Sequence, residues 1–137
     1  MRLAGFNFTK INVEKKANNL KDVTVATGID ILDLQEADSG FFKSSDELIT
    51  IKFEYNVTYE KDIALLKFQG NLIVSVESKQ AKEVLKQWKD KKIPEEFRLS
   101  IFNIILRKAS VKALQFEEEF GLPFHIPFPS LKPQEKK

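Results

Sequence analysis

Cysteine is absent from the 137 residues, and there is a single histidine, His125. Disulfides, thiolate nucleophiles and thiolate metal ligands are therefore excluded, and no histidine cluster for a metal can be built from one chain. Glycine is scarce, with five residues scattered singly, so no phosphate-cradling loop exists. One Trp and two Tyr stand beside twelve Phe, which assigns the aromatic load to packing rather than polar recognition. No apolar run is long enough to span a bilayer, and the N-terminus shows no signal-peptide h-region. The expectation is a cytoplasmic protein without membrane insertion. Neither charge sign dominates: 22 basic and 20 acidic residues leave a net charge of +2. The basic concentrations, Lys82–Lys92 and Lys132–Lys137, fall on a helix face and a chain end. Both read as solvated surface, because no aromatic-and-arginine platform accompanies them, and no nucleic-acid partner is expected.

What is present is an ordinary globular composition, 42% hydrophobic and 31% charged, in a length that suits one domain with its own core. Residues 48–60 carry the clearest pattern. Ile49, Ile51, Phe53, Tyr55, Val57 and Tyr59 alternate with polar residues, as an antiparallel strand with one wet face requires. After the turn Glu60-Lys61-Asp62, a second strand over 63–77 places Leu66, Phe68, Gly70, Leu72, Val74 and Val76 on one face and completes a hairpin. Residues 2–14 and 22–36 read as two further strands, each with a change of parity. Phe6 and Phe8 are out of phase with Ile11 and Val13, and Val23, Val25, Ile29 and Ile31 give way to Leu32 and Leu34. A β-bulge or bend in each strand keeps the apolar side inward. Residues 37–47 are loop chemistry carrying Phe41 and Phe42.

A short helix follows over about 78–90, with Ala81, Val84, Leu85 and Trp88 on one stripe. Pro94, Glu95 and Glu96 open a long helix that runs to a C-cap at Gly121. On a helical wheel, Phe102, Ile105, Leu106, Ala109, Ala113, Phe116 and Phe120 form a core stripe. Phe97, Ile101, Ile104 and Val111 fall on the opposite side, and a helix apolar on two sides needs a second partner. These four residues are the expected oligomer interface of a homodimer or homotetramer. Residues 1–121 thus form a single α+β domain, and 122–137 an extended proline-rich tail carrying Leu122, Phe124, Ile126, Phe128 and Leu131. Prolines 123, 127, 129 and 133 exclude helix or inner strand there.

Candidate chemistry is sparse. His125, between Phe124 and Ile126, reads as a surface or packing residue, since no nucleophile signature surrounds it. Glu117-Glu118-Glu119 fan out around a helix and read as a solvated face. Asp30, Asp33, Glu36 and Asp38 lack calcium-loop spacing. No catalytic residue, metal or cofactor is expected. Gly70 marks a bulge or a close backbone approach. Trp88 anchors the short helix or lines a groove.

The order of four strands, short helix and long helix resembles the SecB family of protein-export chaperones and SecB-like relatives. FNFTKINVEKK at 6–16 is similar to that family's opening strand, and ALLKFQGNLIVS at 64–75 to its fourth. SIFNIILRKASVKALQFEEEFGLPFHIPFPSL at 100–131 resembles its long helix ending in glycine and a proline-rich apolar segment. The resemblance implies a four-stranded antiparallel sheet followed by a short and a long C-terminal helix, assembled as dimers of dimers. It implies a non-catalytic chaperone for unfolded or extended client polypeptides. Members that serve the Sec motor are strongly acidic, whereas this chain has a pI near 8.7. Relatives serving other clients, including antitoxins, match better than those handling export substrates. Candidate peptide-binding residues are Phe41, Phe42, Trp88, Phe124, Ile126 and Phe128, lining a groove between sheet edge, loop and tail. The alternative is a small-ligand binding protein or enzyme on a curved sheet crossed by a helix, of cystatin or hotdog kind. A third possibility is a structural subunit whose tail swaps into a neighbour.

Overall fold

Period-two alternation yields the strands β1 (Arg2–Lys15), β2 (Val25–Ala37), β3 (Asp46–Tyr59) and β4 (Ala64–Glu77). They are followed by α1 (Ser78–Trp88) and α2 (Glu95–Phe120). The structure, a computed structural model, describes residues 1–18, 22–37 and 46–133. Phe41 and Phe42 lie outside the described residues.

The four strands form one antiparallel sheet in the order β1-β4-β3-β2. This is a Greek key: β2, β3 and β4 are neighbours in sequence and space, and β1 crosses over to pair with β4. The parity changes read from sequence are register shifts. They lie at Leu3/Gly5 and Phe8/Lys10 in β1 and at Ile31/Asp33 in β2. Each shift returns apolar residues to the inner face, so Phe6, Phe8, Ile11 and Val13 of β1 oppose Leu72, Gly70, Phe68 and Leu66.

The core lies on that face. Ile49, Ile51, Phe53, Tyr55 and Val57 of β3 and Leu66, Phe68, Leu72 and Val74 of β4 are fully buried. Each large side chain so placed stabilises the fold by about 1.5–3 kcal/mol relative to exposure. Gly70 is a close approach. A Cβ there would collide with the Asn7 carbonyl oxygen across the β1–β4 ladder and come within 2.8 Å of Phe53 Cζ. The missing side chain leaves room for Phe6 and Phe8, whose rings lie 5.3 and 6.3 Å from that of Phe53.

Both helices lie against the inner face. Ala81 and Val84 of α1 are buried. In α2 the buried residues are Phe97, Ile101, Ile105, Ala109, Ser110, Ala113 and Glu117. This corrects two expectations. Phe97 and Ile101, expected at an oligomer interface, are core residues at 1% and 0% exposure. Leu106 and Phe120, expected in the core, are 39% and 37% exposed. The reason is geometric. The buried set follows one i+4 ridge, which is inclined to the helix axis and winds around it. A wheel projects that ridge onto a plane and splits it between two apparent faces. Ile104 stays half-buried and Val111 is 55% exposed.

Candidate functional site

The C-terminal end of α2 builds most of the site. Gly121 ends the helix in the left-handed conformation, φ 66°. Its N–H donates to Glu118 O and the Leu122 N–H to Glu117 O, the paired bonds of a Schellman motif. Lys15 of β1 adds a donor, its Nζ lying 2.8 Å from Phe120 O at the negative end of the helix. The chain thereby reverses and runs back beside α2. Leu122 is buried in the main core.

The reversal carries His125 onto Glu117. Its Nδ1 lies 2.8 Å from both carboxylate oxygens, and its backbone N–H donates to Oε1 at 3.3 Å. The two side chains are 2% and 0% exposed. Two tyrosines reach the pair from the inner face of β3. Tyr55 Oη lies 2.9 Å from His125 Nε2 and 3.3 Å from Ser110 Oγ. Tyr59 Oη lies 3.1 Å from Glu117 Oε2 and 2.6 Å from Pro123 O. Strand, helix and tail are thus joined by one buried polar network. Burial first, and the field of Glu117 behind it, hold the Tyr55 hydroxyl above the usual phenol range, although the hydrogen bond to Ser110 pulls the other way. Burial first, and the Glu117 carboxylate second, push Tyr59 far above it. Both phenols therefore stay protonated, and Tyr59 shares its one proton between Glu117 Oε2 and Pro123 O.

Glu117 is accordingly not part of a solvated face, as its place in the Glu117-Glu118-Glu119 run suggests. Only Glu118 and Glu119 are exposed. The signal that points inward is on β3: Tyr55 and Tyr59 share the phase of Ile49 and Ile51, and a phenol sent into a core requires a polar partner.

Fastened in this way, the tail forms one wall of a trough along α2. Phe124 and Phe128, their rings 5.6 Å apart, face Val111 and Leu114, with Gln115, Glu118 and Glu119 on the rim. The trough encloses about 820 Å³. Smaller hollows continue it toward β1, lined by Phe6, Phe8, Arg107 and Lys108 and then by Leu3 and Ile104. Ile126 is 39% exposed and does not line the trough, and Phe128 and Leu131 are 64% and 103% exposed.

A second groove of about 440 Å³ lies beside β2, lined by Ile29, Ile31, Leu32, Trp88, Ile93 and Phe102 with Asp30 and Lys91. The Lys91 ammonium stands 4.5 Å above the Trp88 ring. Trp88 both packs on the core and lines this groove. β2 is an edge strand, and among the described residues no further strand pairs with its outer row of backbone groups. Trp88 and the phenylalanines of the tail therefore belong to two separate grooves. Phe102 and Val111 mark the separation, about 13 Å of helical rise apart.

No family model matches the sequence, and no curated protein matches it. Among solved structures, the chain is similar to a SecB-like chaperone from Mycobacterium tuberculosis, solved in complex with a ChAD peptide from the HigA1 antitoxin. The two share 11% identity at a TM-score of 0.52, over 97% of this chain and 92% of that one. The fold is SecB-like. At that identity the likeness concerns architecture, and side chains in the grooves have to be argued from this chain itself.

Proposed function

We propose that this protein is a SecB-like chaperone that holds non-native or extended polypeptide against apolar surface, without catalysis and without ATP. The observation that carries the reading is the pairing of a SecB-like fold with two open apolar grooves, one beside a free strand edge. An extended client adds to β2 through backbone hydrogen bonds, while alternate side chains enter the groove of Trp88, Ile31 and Phe102. The trough of Phe124 and Phe128 takes further apolar segments. The neighbour's bound peptide supports an antitoxin segment as one client class, and an export substrate is the other. The working unit is a homodimer or homotetramer, since Val111, Leu106 and Leu99 remain exposed on α2. Its compartment is the cytoplasm.

Trp88 is the sole tryptophan and reports on its own groove. Titration with a tryptophan-free unfolded polypeptide should shift its emission, and the protein at roughly stoichiometric amounts should slow aggregation of that client without nucleotide. Trp88→Ala should weaken binding about tenfold or more, within the range of a buried aromatic anchor. An unchanged emission together with unchanged aggregation for several unrelated clients overturns the reading.

A further inference from the structure

We propose that Glu117 and His125 form an acid-opened clasp, which holds the tail against α2 and releases it when the carboxylate takes a proton. The proposal stands on the geometry of the pair and does not depend on the client reading.

Both side chains are almost wholly removed from water, so their charges must be balanced locally. The contacts to Glu117 come from the imidazole, a backbone N–H and a phenol, all of them donors. An ionised carboxylate suits every one. The imidazole must donate from Nδ1 to this carboxylate, while Nε2 faces the Tyr55 hydroxyl. A hydroxyl is donor and acceptor, so it serves a neutral ring and a charged ring equally. Charging His125 therefore completes an ion pair without breaking a bond. Protonating Glu117 afterwards does the opposite, because it leaves a buried imidazolium with no anion.

Among the described residues the surroundings offer no replacement anion. β3 presents Tyr55 and Tyr59, whose protons are held tightly, and β2 offers Thr27, a hydroxyl. From β4 comes the Phe68 ring, stacked on Tyr55. On α2, Ser110 is neutral, and Glu118 and Glu119 are exposed at the trough rim. β1 contributes the cation Lys15 at Phe120 O. With Glu117 ionised the clasp is thus closed whether the ring is neutral or charged, and it opens when the carboxylate of a charged pair takes a proton. Opening removes Phe124 and Phe128 from the trough over Val111 and Leu114.

The test is hydrogen exchange of residues 122–131, corrected for intrinsic rates, from about pH 7 to about pH 4. NMR of the single imidazole, followed over the same range, dates histidine charging. In the wild type, tail exchange should accelerate by about tenfold per pH unit below the opening point, as one linked proton requires. β3 and β4 should stay protected. Glu117→Gln leaves no carboxylate to pair with, so its tail should open as His125 charges, at a higher pH than wild type. His125→Gln removes the buried cation and should flatten the profile. A Glu117→Gln opening point equal to that of wild type overturns the proposal. So does release of the tail in one step with the sheet.

Discussion

The two halves of α2 are held to the same sheet by different physics. The N-terminal half is fixed by hydrocarbon, with Phe97, Ile101 and Ile105 packed on the inner face. The C-terminal half adds directed bonds to the packing of Ala109, Ala113 and Phe116, with Ser110 and Glu117 reaching Tyr55, Tyr59 and His125. Apolar burial is indifferent to pH and tolerates small displacements. Hydrogen bonds in a dry site demand geometry and answer to protons. A single helix therefore carries a permanent anchor at one end and a conditional one at the other, and the groove beside each end inherits that character.

The difference breaks most visibly at the apolar end. Phe97→Ala should cost about 3–5 kcal/mol by opening a cavity, read by denaturant unfolding, with the same loss at every pH where the protein folds. A pH-dependent loss there would mean that the two halves are not physically distinct. At the polar end, Tyr59→Phe should cost about 1 kcal/mol near neutral pH, since Pro123 O and Glu117 lose a donor. Its sharper signature is alkaline. The Tyr59 proton is held more tightly in the folded chain than in the unfolded one, so stability is complete below about pH 10 and falls as pH rises beyond it. Each such tyrosine contributes a slope of at most about 1.4 kcal/mol per pH unit, and the variant should keep only the share due to Tyr55. An unaltered alkaline slope would contradict the donor role. The smallest effect on the fold should come from Val111→Asp between the halves, within about 0.5 kcal/mol for an exposed site. Light scattering should nonetheless report a lower mass, if this face of α2 joins subunits.

Much of this architecture was written in local pattern. The hairpin of β3 and β4 follows from uninterrupted alternation, the bulges of β1 and β2 from parity changes, and the helix end from Gly121. Those features depend on neighbours in sequence. What escaped sequence reasoning depends on direction in space. The sheet-facing ridge of α2 winds around its axis, so Phe97 and Ile101 looked like a second face and Leu106 like core. The union of Glu117 with His125 required knowing that the Schellman turn sends the chain back along the helix. Of the candidate binding residues, Trp88, Phe124 and Phe128 line grooves, Ile126 stands aside, and Phe41 and Phe42 lie outside the described residues.

The pairing of β1 with β4 sets a schedule for the newborn chain. β1 is synthesised before the other three strands, yet its partners run from Ser75, opposite Arg2, to Ala64, opposite Lys15. At about 5–20 residues per second, the ribosome leaves Phe6, Phe8, Ile11 and Val13 without a mate for several seconds. β2, β3 and β4 meanwhile meet through short connections. The earliest of the four strands thus waits for the latest, and a protein that we propose shelters unpaired strands must keep one of its own waiting.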